Sequence, residues 1–325
     1  MRVYKNISLS ETQITELVRV LDAFETHEIH HMPVKGAILK GLYPQAEMRR
    51  MGDADILINY EQYEDIRRVM ADLGYEELYE SDHGLVWNHD LMRIELHKRL
   101  IPSYNKDYYQ YYGDGWQLAK KMEGFSFRYG MDAEDEMIYL LTHFAKHYRE
   151  AGLGIRHMVD LWVYRIHHPE IDEEYIRFEL DKLQLLEFYE NMRNVLAVWF
   201  EDAQSNEKTE LMTDYTSGEY VRMYTANISN ALKGTKGGHS VQAVKQKRLF
   251  TALYPGDTVM KKEYPILLKY LFLLPFMLVA RFFRKVLFEG KVRLYLTHRL
   301  KFSADEVSGY QQSLNYVGLD FHFSE

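Results

Sequence analysis

Two aspartates separated by one residue begin an apolar segment early in the chain. Asp53 and Asp55 lead into Ile56, Leu57 and Ile58. On a strand, alternate side chains point to the same face, so the two carboxylates would lie side by side. Like charges this close are costly unless a cation lies between them, and Mg2+ binds one or two carboxylates together with phosphate oxygens and waters. The pair indicates a metal site for phosphoryl or nucleotidyl transfer; an ordinary solvated turn is the alternative.

A third acidic residue, Glu95, lies in a second segment with strand-like alternation. Arg93, Glu95 and His97 occupy one face of this segment, and the residues between them are apolar. If this strand pairs with the strand of Asp53, Glu95 completes a set of three carboxylates. His97 would then orient a carboxylate or contact the leaving group, and a structural histidine is the alternative.

Basic residues and a glycine precede the two aspartates. Lys35 and Gly36 stand between a short strand pattern and a helix pattern, and Arg49 lies just before Asp53. Backbone N–H groups at a helix start bind phosphate, and a lysine adds a point charge. We therefore expect Lys35, Gly36 and Arg49 to hold a triphosphate. For Lys35 the alternative is a surface lysine that merely precedes a helix.

These motifs resemble those of the nucleotidyltransferase superfamily, which has a glycine-containing helix start, an Asp-x-Asp on a strand and a third carboxylate on a later strand. More narrowly, the chain resembles a bacterial family of uncharacterised nucleotidyltransferases. The motifs recur here in the same order as in that family: Lys35-Gly36, Tyr43-Pro44, Arg49, Asp53-Ala54-Asp55 and Glu95-Leu96-His97. Ala37 departs from the broader superfamily, which usually has serine there, so no hydroxyl is available at that place for the triphosphate.

The resemblance implies an α+β fold. A mixed sheet with flanking helices would form the catalytic domain, residues 1–130, and a mainly helical part, residues 131–325, would close the cleft and select the acceptor, with a subdivision considered near 201–240. It also implies Mg2+ or Mn2+ bound by Asp53, Asp55 and Glu95. The enzyme would move an NMP from an NTP to an acceptor hydroxyl and release pyrophosphate.

Candidate residues in the helical part are less specific. Asp160 is an acidic residue in an otherwise apolar helix, and by the resemblance it would face the cleft with Arg156, as a wall or a general base. An ion pair between Arg156 and Asp160, one helical turn apart, is the alternative. His143 and His147 share a helix face, but no Glu follows His143 directly, so packing or hydrogen bonding is favoured over metal binding. By the resemblance His147 would support the acceptor side.

The spacing of apolar residues predicts the elements that position these side chains. A capping-box spacing at Ser10–Gln13 predicts a first helix that runs to about Glu28. The other predicted elements are a strand at 32–34, helices at 36–42 and 60–73, strands at 53–58, 75–80, 85–88 and 92–97, and helices at 135–148, 155–166, 173–183 and 185–200. The polar segment 201–219 and the glycine-containing segment 234–240 are predicted to be loops, and the second could fold over the site.

Composition limits the classes of function. The chain has 325 residues and no cysteine, which excludes disulfides, thiolate catalysis and cysteine-bound metals. The net charge is -8, but residues 245–301 hold 13 Lys and Arg against 3 Asp and Glu. The acidic remainder favours a small molecule or sugar as acceptor over RNA or protein, and no DNA is expected, because nucleic-acid binding depends on clustered basic residues.

The most apolar segment, residues 266–280, is followed by Arg281, Arg284 and Lys285. At about 15 residues it is shorter than the roughly 20 needed to cross a bilayer. A buried turn of helices is favoured, and a peripheral contact of residues 266–285 with anionic lipid is the alternative. The polar start of the chain has no signal-like apolar core, so a cytoplasmic protein is expected. A different class of function is a non-catalytic nucleotide-binding or regulatory module, membrane-associated in surface-polysaccharide biosynthesis.

Overall fold

The structure is a computed structural model, which describes residues 2–103, 105–151, 155–217, 260, 264–287 and 314–319. These residues form two compact units. The first contains residues 2–145 and 155–204, and the second contains 146–151, 205–217 and the described residues beyond 217. The predicted boundary near residue 130 lies within the first unit and stays a prediction for the limits of the catalytic domain.

A five-stranded mixed sheet lies in the first unit. Its strands are β1 (His31–Val34), β2 (Asp53–Ile58), β3 (Glu76–Glu80), β4 (Gly84–Asn88) and β5 (Arg93–His97). Their order across the sheet is β1-β2-β5-β4-β3. Strands β2 and β5 are parallel, and the other neighbours are antiparallel. The predicted mixed sheet is therefore confirmed, including the pairing of the Asp53 strand with the Glu95 strand.

Helices lie before, between and after these strands along the chain. Their bounds are α1 (Arg2–Thr26), α2 (Gly36–Leu39), α3 (Tyr63–Asp72), α4 (Lys106–Tyr112), α5 (Ala133–Ala151), α6 (Ile155–His167), α7 (Glu173–Lys182), α8 (Leu186–Phe200), α9 (Glu207–Ser217) and α10 (Leu274–Leu287). The four helices predicted between residues 135 and 200 are confirmed to within three residues at their ends.

The core of the first unit forms where α1 and α3 cover one face of the sheet. Val20 and Phe24 of α1 and Ile66 and Met70 of α3 are fully buried in one cluster with the apolar residues of β2, β4 and β5. Ala54 belongs to the same cluster, so this face of β2 is apolar while the aspartates on either side of Ala54 point away from it. The core therefore fixes which face of β2 carries the carboxylates.

The predicted start of the first helix is wrong. Helix α1 begins at Arg2, eight residues before the capping-box spacing at Ser10–Gln13. Ser10 and Gln13 are buried on one face of the helix, and Gln13 Nε2 donates to Met51 O at 3.0 Å. The three-residue spacing of these polar side chains places them on one helix face, where they contact the segment before β2 instead of capping a helix.

The prediction of a loop over residues 201–219 is confirmed for 201–206 and wrong for Glu207–Ser217, where α9 forms, and residues 218–219 lie outside the described residues. Asn206 Oδ1 accepts a hydrogen bond from the backbone N–H of Thr209 at 3.0 Å, which caps the first turn of this helix. The predicted loop at 234–240 lies outside the described residues.

Several large side chains of the apolar segment 266–280 are exposed to solvent. The exposed large apolar side chains here are Ile266, Tyr270, Phe272, Phe276 and Val279. Tyr270 lies between two short 3-10 turns, and the other four belong to these turns or to α10, which has proline as its second residue. The favoured expectation of burial is wrong for these five side chains. Within the described ranges, no helix has both the length and the apolar character that crossing a membrane requires.

Candidate active site

Strands β2 and β5 bring the predicted carboxylates together. In their parallel pairing, Asp55 lies opposite Glu95, and Asp53 lies opposite Arg93. One ligand atom each from Asp55, Glu95 and His97 falls within 4.8 Å of the others. Asp53 lies two residues before Asp55, and its carboxylate is close enough to hydrogen-bond Glu95. The expected neighbourhood of these four residues is observed, and their roles in catalysis stay predictions.

Glu95 lies close to two other carboxylates, which disfavour its ionised form. Burial raises the pKa of Glu95, and the nearby carboxylates of Asp53 and Asp55 raise it further, while the more distant Lys35 opposes this. A raised pKa means that ionised Glu95 is unfavourable in the folded protein as it stands. A divalent cation among the three carboxylates would relieve that repulsion, so their arrangement fits a hard cation with oxygen ligands.

Asp55 is in the opposite situation. Its Oδ1 atom accepts from Lys35 Nζ at 3.0 Å and from His97 Nε2 at 2.7 Å. Burial alone would raise the pKa of Asp55, but the Lys35 ammonium and the His97 contact outweigh it and hold the pKa well below its usual range. Asp55 is therefore ionised throughout the physiological pH range. His97 contacts this carboxylate, and its predicted role of orienting the carboxylate stays a prediction.

Lys35 reaches Asp55 because it directly follows β1, whose last residue, Val34, pairs with Asp55. The Lys35 side chain is buried, which excludes the alternative of a surface lysine. Its backbone has φ 51° and ψ -116°, a conformation that favours glycine. Strained backbone of this kind persists only where its surroundings determine it, and it occurs often at functional sites.

Two residues of α5 complete the surroundings of Lys35, and the sequence analysis did not find them. Glu136 is buried near the Lys35 backbone, and the ring of Tyr139 lies 5.9 Å from Lys35 Nζ. Burial raises the pKa of Glu136 to about 7. The signal that could have found Glu136 is the one that identified Asp160, an acidic residue directly followed by apolar residues, Met137 and Ile138, in a helix.

Arg49 and Asp160 form a buried, two-contact ion pair. Arg49 Nε lies 2.7 Å from Asp160 Oδ1, and Arg49 Nη2 lies 3.0 Å from Asp160 Oδ2. Tyr43 donates its hydroxyl to Asp160 Oδ1 at 2.7 Å. The alternative expectation, an ion pair between Arg156 and Asp160, is wrong. Asp160 points inward to Arg49, whereas Arg156 is exposed at the start of α6. The predicted contact of Arg49 with triphosphate stays a prediction.

Arg49 also supports the turn that carries Lys35. A Cβ atom added at Gly36 would lie 3.2 Å from Arg49 Nη1, so the close approach of the two residues requires glycine or a shift of the arginine. Lys40 is buried nearby and donates to the carbonyl oxygens of Ala46 and Arg49 at 2.9 and 2.8 Å. The segment between α2 and β2 is thus fixed by buried lysine and arginine side chains.

The remaining candidates lie on α5 and α6. His147 is half-buried on α5, and His143 packs its ring against Tyr139 with a centroid distance of 6.5 Å. Arg156 is exposed on α6. The proposed roles of His147 and Arg156 on the acceptor side stay predictions.

Helix α2 limits how phosphate could be held. It has four residues, and its backbone N–H groups at Ile38 and Leu39 already bond to the carbonyl oxygen of Lys35, at 3.1 and 2.9 Å. The dipole of so short a helix adds little. Of the two features expected to bind phosphate at this turn, the Lys35 ammonium is consequently the better candidate, and the contributions of both Lys35 and Gly36 stay predictions.

The chain is similar to known proteins in sequence and in structure. Among solved structures, the chain is similar to the solution structure of the antibiotic-resistance factor ANT(2'')-Ia, with a TM-score of 0.40 and 11% identity over 60% of this chain and 100% of that chain. No curated protein matches the chain. The family described as uncharacterised nucleotidyltransferase matches residues 2–201, which include the whole sheet and helices α1 to α8. The chain belongs to this nucleotidyltransferase family.

Proposed function

We propose that this protein is a metal-dependent enzyme that transfers an NMP from an NTP to an acceptor hydroxyl and releases pyrophosphate. The observation that carries the proposal is the cross-strand pairing of Asp55 with Glu95, which gathers ligand atoms of Asp55, Glu95 and His97 within 4.8 Å. Asp53, on the same face of β2, adds the third carboxylate. Clustered carboxylates on a rigid sheet are costly to maintain without a cation, and membership of the family supports the reaction class.

Each residue of the site has a part in this proposal. Asp53, Asp55 and Glu95 hold Mg2+ or Mn2+, which when bound would neutralise the phosphate oxygens and favour an attacking oxygen. Lys35 binds the phosphates, and His97 keeps Asp55 in one orientation through the 2.7 Å hydrogen bond. Most of the rate would come from holding the two substrates in line and from compensating the charge that develops between them.

The acceptor is proposed to be a small molecule or a sugar. Residues 1–244 carry a formal charge of -14, and this part of the chain includes the whole site. Such a surface repels the phosphate backbone of a nucleic acid, so RNA is a weaker candidate and DNA is not expected. Tyr43, Arg49 and Asp160 are held in one buried network beside the Lys35 turn, so they would form a fixed wall of the cleft.

A second candidate function is a nucleotide-binding or regulatory module without turnover. The observation that favours it is that Asp55 Oδ1 already has two partners, Lys35 and His97, which compensate its charge without a metal. In such a module the carboxylates would serve structure alone. The two functions differ in whether a divalent cation binds at Asp53 and Glu95.

We propose a cytoplasmic location with a peripheral contact to a membrane. The exposed aromatic side chains at Phe272 and Phe276 lie in the chain segment, residues 245–301, with the strongest positive charge. Apolar side chains flanked by basic residues bind anionic lipid surfaces. This contact is independent of the catalytic proposal.

Calorimetry with Mg2+, Mn2+ and each NTP tests the catalytic proposal, with Asp53→Asn as the matched variant. Asp53 is half-buried and does not take part in the Lys35–Asp55 pair, so the change should leave the fold intact. The enzyme should bind an NTP only with a divalent cation, and Asp53→Asn should weaken that binding at least tenfold. Binding of nucleotide that ignores both the cation and the substitution would favour the non-catalytic module.

A further inference from the structure

The Lys35 ammonium is paired with the carboxylate of Asp55, which is one of the proposed metal ligands. Lys35 Nζ lies 3.0 Å from Asp55 Oδ1, and the two side chains are 10% and 13% exposed. His97 Nε2 takes a second contact to the same oxygen. A divalent cation bound at Asp55 would therefore lie next to a buried positive charge, and little water is present there to screen the repulsion.

The backbone of Lys35 shows that this contact is built into the fold. Lys35 has a positive φ of 51°, a backbone conformation that glycine would adopt without strain. The turn is held by hydrogen bonds, because the Lys35 carbonyl oxygen accepts from the backbone N–H groups of Ile38 and Leu39 at 3.1 and 2.9 Å. Strain that the surroundings maintain at a charged residue points to a role for that charge.

We propose that Lys35 competes with the divalent cation for Asp55, so that metal and nucleotide bind together. This inference rests on the proposed function and adds the order in which its parts assemble. Without nucleotide, Lys35 pairs with Asp55 and keeps the affinity for metal low. A polyphosphate offers the ammonium a second anionic partner, and when Lys35 turns to the phosphates, Asp55 becomes available to the cation.

Such competition gives thermodynamic coupling between two ligands. If nucleotide raises the affinity for metal, metal must raise the affinity for nucleotide by the same factor. The arrangement would prevent the carboxylates from holding a cation that has no substrate to act on. His97 can keep its hydrogen bond in both states, so Asp55 keeps its orientation while its cationic partner changes.

Titration with Mn2+ alone, followed by electron paramagnetic resonance of the unbound ion, tests the competition without any turnover. Lys35→Met removes the charge, and Lys35→Gln removes the charge but keeps a hydrogen-bond donor for Asp55. Lys120→Met is the matched control, because Lys120 pairs with Asp132 at an exposed site. We expect Lys35→Met to bind Mn2+ at least tenfold more tightly than the unaltered protein, Lys35→Gln to bind several-fold more tightly, and Lys120→Met to be unchanged.

The outcomes separate this inference from the proposed function. Equal Mn2+ affinity in the unaltered protein and in both Lys35 variants, or weaker affinity in the variants, overturns the competition and leaves a metal site in place. Absence of Mn2+ binding in every protein, including both Lys35 variants, overturns the competition alone, and the metal-dependent function is then decided by the calorimetry with NTP present. Circular dichroism and thermal unfolding establish that each variant is folded, and Lys35→Gln carries the test if Lys35→Met is not.

Discussion

Asp55 and Glu95 lie directly opposite each other in the parallel pairing of β2 and β5. The two carboxylates nevertheless have opposite surroundings: Lys35 and His97 stabilise the charge of Asp55, whereas the burial of Glu95 and the neighbouring Asp53 and Asp55 disfavour its charge. The pKa of Asp55 is therefore lowered, whereas the pKa of Glu95 is raised. A cation between them would compensate the second charge, as the proposed metal-dependent reaction requires.

The buried carboxyl of Glu136 should make the stability of the protein depend on pH. Its pKa is raised from 4.5 to about 7, so between these values the folded protein binds more protons than the unfolded chain. The free energy of unfolding should therefore fall as the pH rises through this window. Glu136→Gln cannot ionise, and from pH 5 to pH 8 its stability should improve relative to the unaltered protein by about 2 kcal/mol.

Urea unfolding at the two pH values measures this difference. The exposed Glu123 provides the control, because Glu123→Gln removes a carboxylate of the same type from a solvated place. Identical pH dependence for Glu136→Gln and the unaltered protein would mean that Glu136 is not the buried titrating group.

The ion pair between Arg49 and Asp160 should contribute strongly to stability. Asp160→Asn keeps the shape of the side chain but leaves the buried Arg49 guanidinium without its counter-charge, so we expect a loss of about 3 kcal/mol in the free energy of unfolding. The double variant Arg49→Met/Asp160→Leu removes both charges and should lose less than Asp160→Asn alone. Chemical denaturation of the three proteins gives both values.

A surface pair provides the comparison for this experiment. Arg68 and Asp65 lie 3.3 Å apart with side chains that are 71% and 55% exposed, so Asp65→Asn should change stability by less than about 1 kcal/mol. If Asp160→Asn lowers the free energy of unfolding no more than Asp65→Asn does, the buried network does not stabilise the proposed wall of the cleft.

The exposed aromatic side chains before and within α10 should bind anionic membranes. In flotation with vesicles of phosphatidylcholine and phosphatidylglycerol, the protein should rise with the lipid, and Phe272→Ser/Phe276→Ser should reduce the bound fraction several-fold. Vesicles of phosphatidylcholine alone and high salt should both weaken binding, because the basic flank supplies part of the attraction.

The control for flotation is an exposed aromatic residue elsewhere in the chain. Phe178 on α7 is 63% exposed, close to the 69% of Phe276, and Phe178→Ser should not change flotation. Equal binding by all three proteins, or no binding to anionic vesicles, would contradict a lipid contact at this surface.

The sequence predicted those parts of the site that depend on local alternation. The faces of β2 and β5 follow from the two-residue period of strands, so the grouping of Asp55 with Glu95 needed only the pairing of the two strands. The burial of Asp160 also had a local signal. Its partner did not, because Arg49 lies 111 residues away in the sequence and a residue one turn distant, Arg156, offered the same charge.

Other features arise only from the folded chain. The contact of Lys35 with Asp55 depends on the antiparallel pairing of β1 with β2, which places the residue after Val34 beside Asp55. The start of α1 was predicted wrongly, because a three-residue spacing of polar residues fits both a helix cap and a buried helix face. In both cases the residue types could be interpreted from the sequence, but the residues that they contact in the folded chain could not be predicted.

Transfer of label from NTP is the measurement that tests the central claim most directly. The purified protein is incubated with Mg2+ or Mn2+, each labelled NTP in turn and a cell extract, in parallel with Asp53→Asn and Asp53→Asn/Asp55→Asn, and the labelled products are sized. The account predicts label in a discrete small-molecule product with the unaltered protein, dependent on the divalent cation, and a loss of at least a hundredfold with either variant. Equal labelling by the variants, or no transfer with any NTP and either metal, would contradict metal-dependent nucleotidyl transfer at this site.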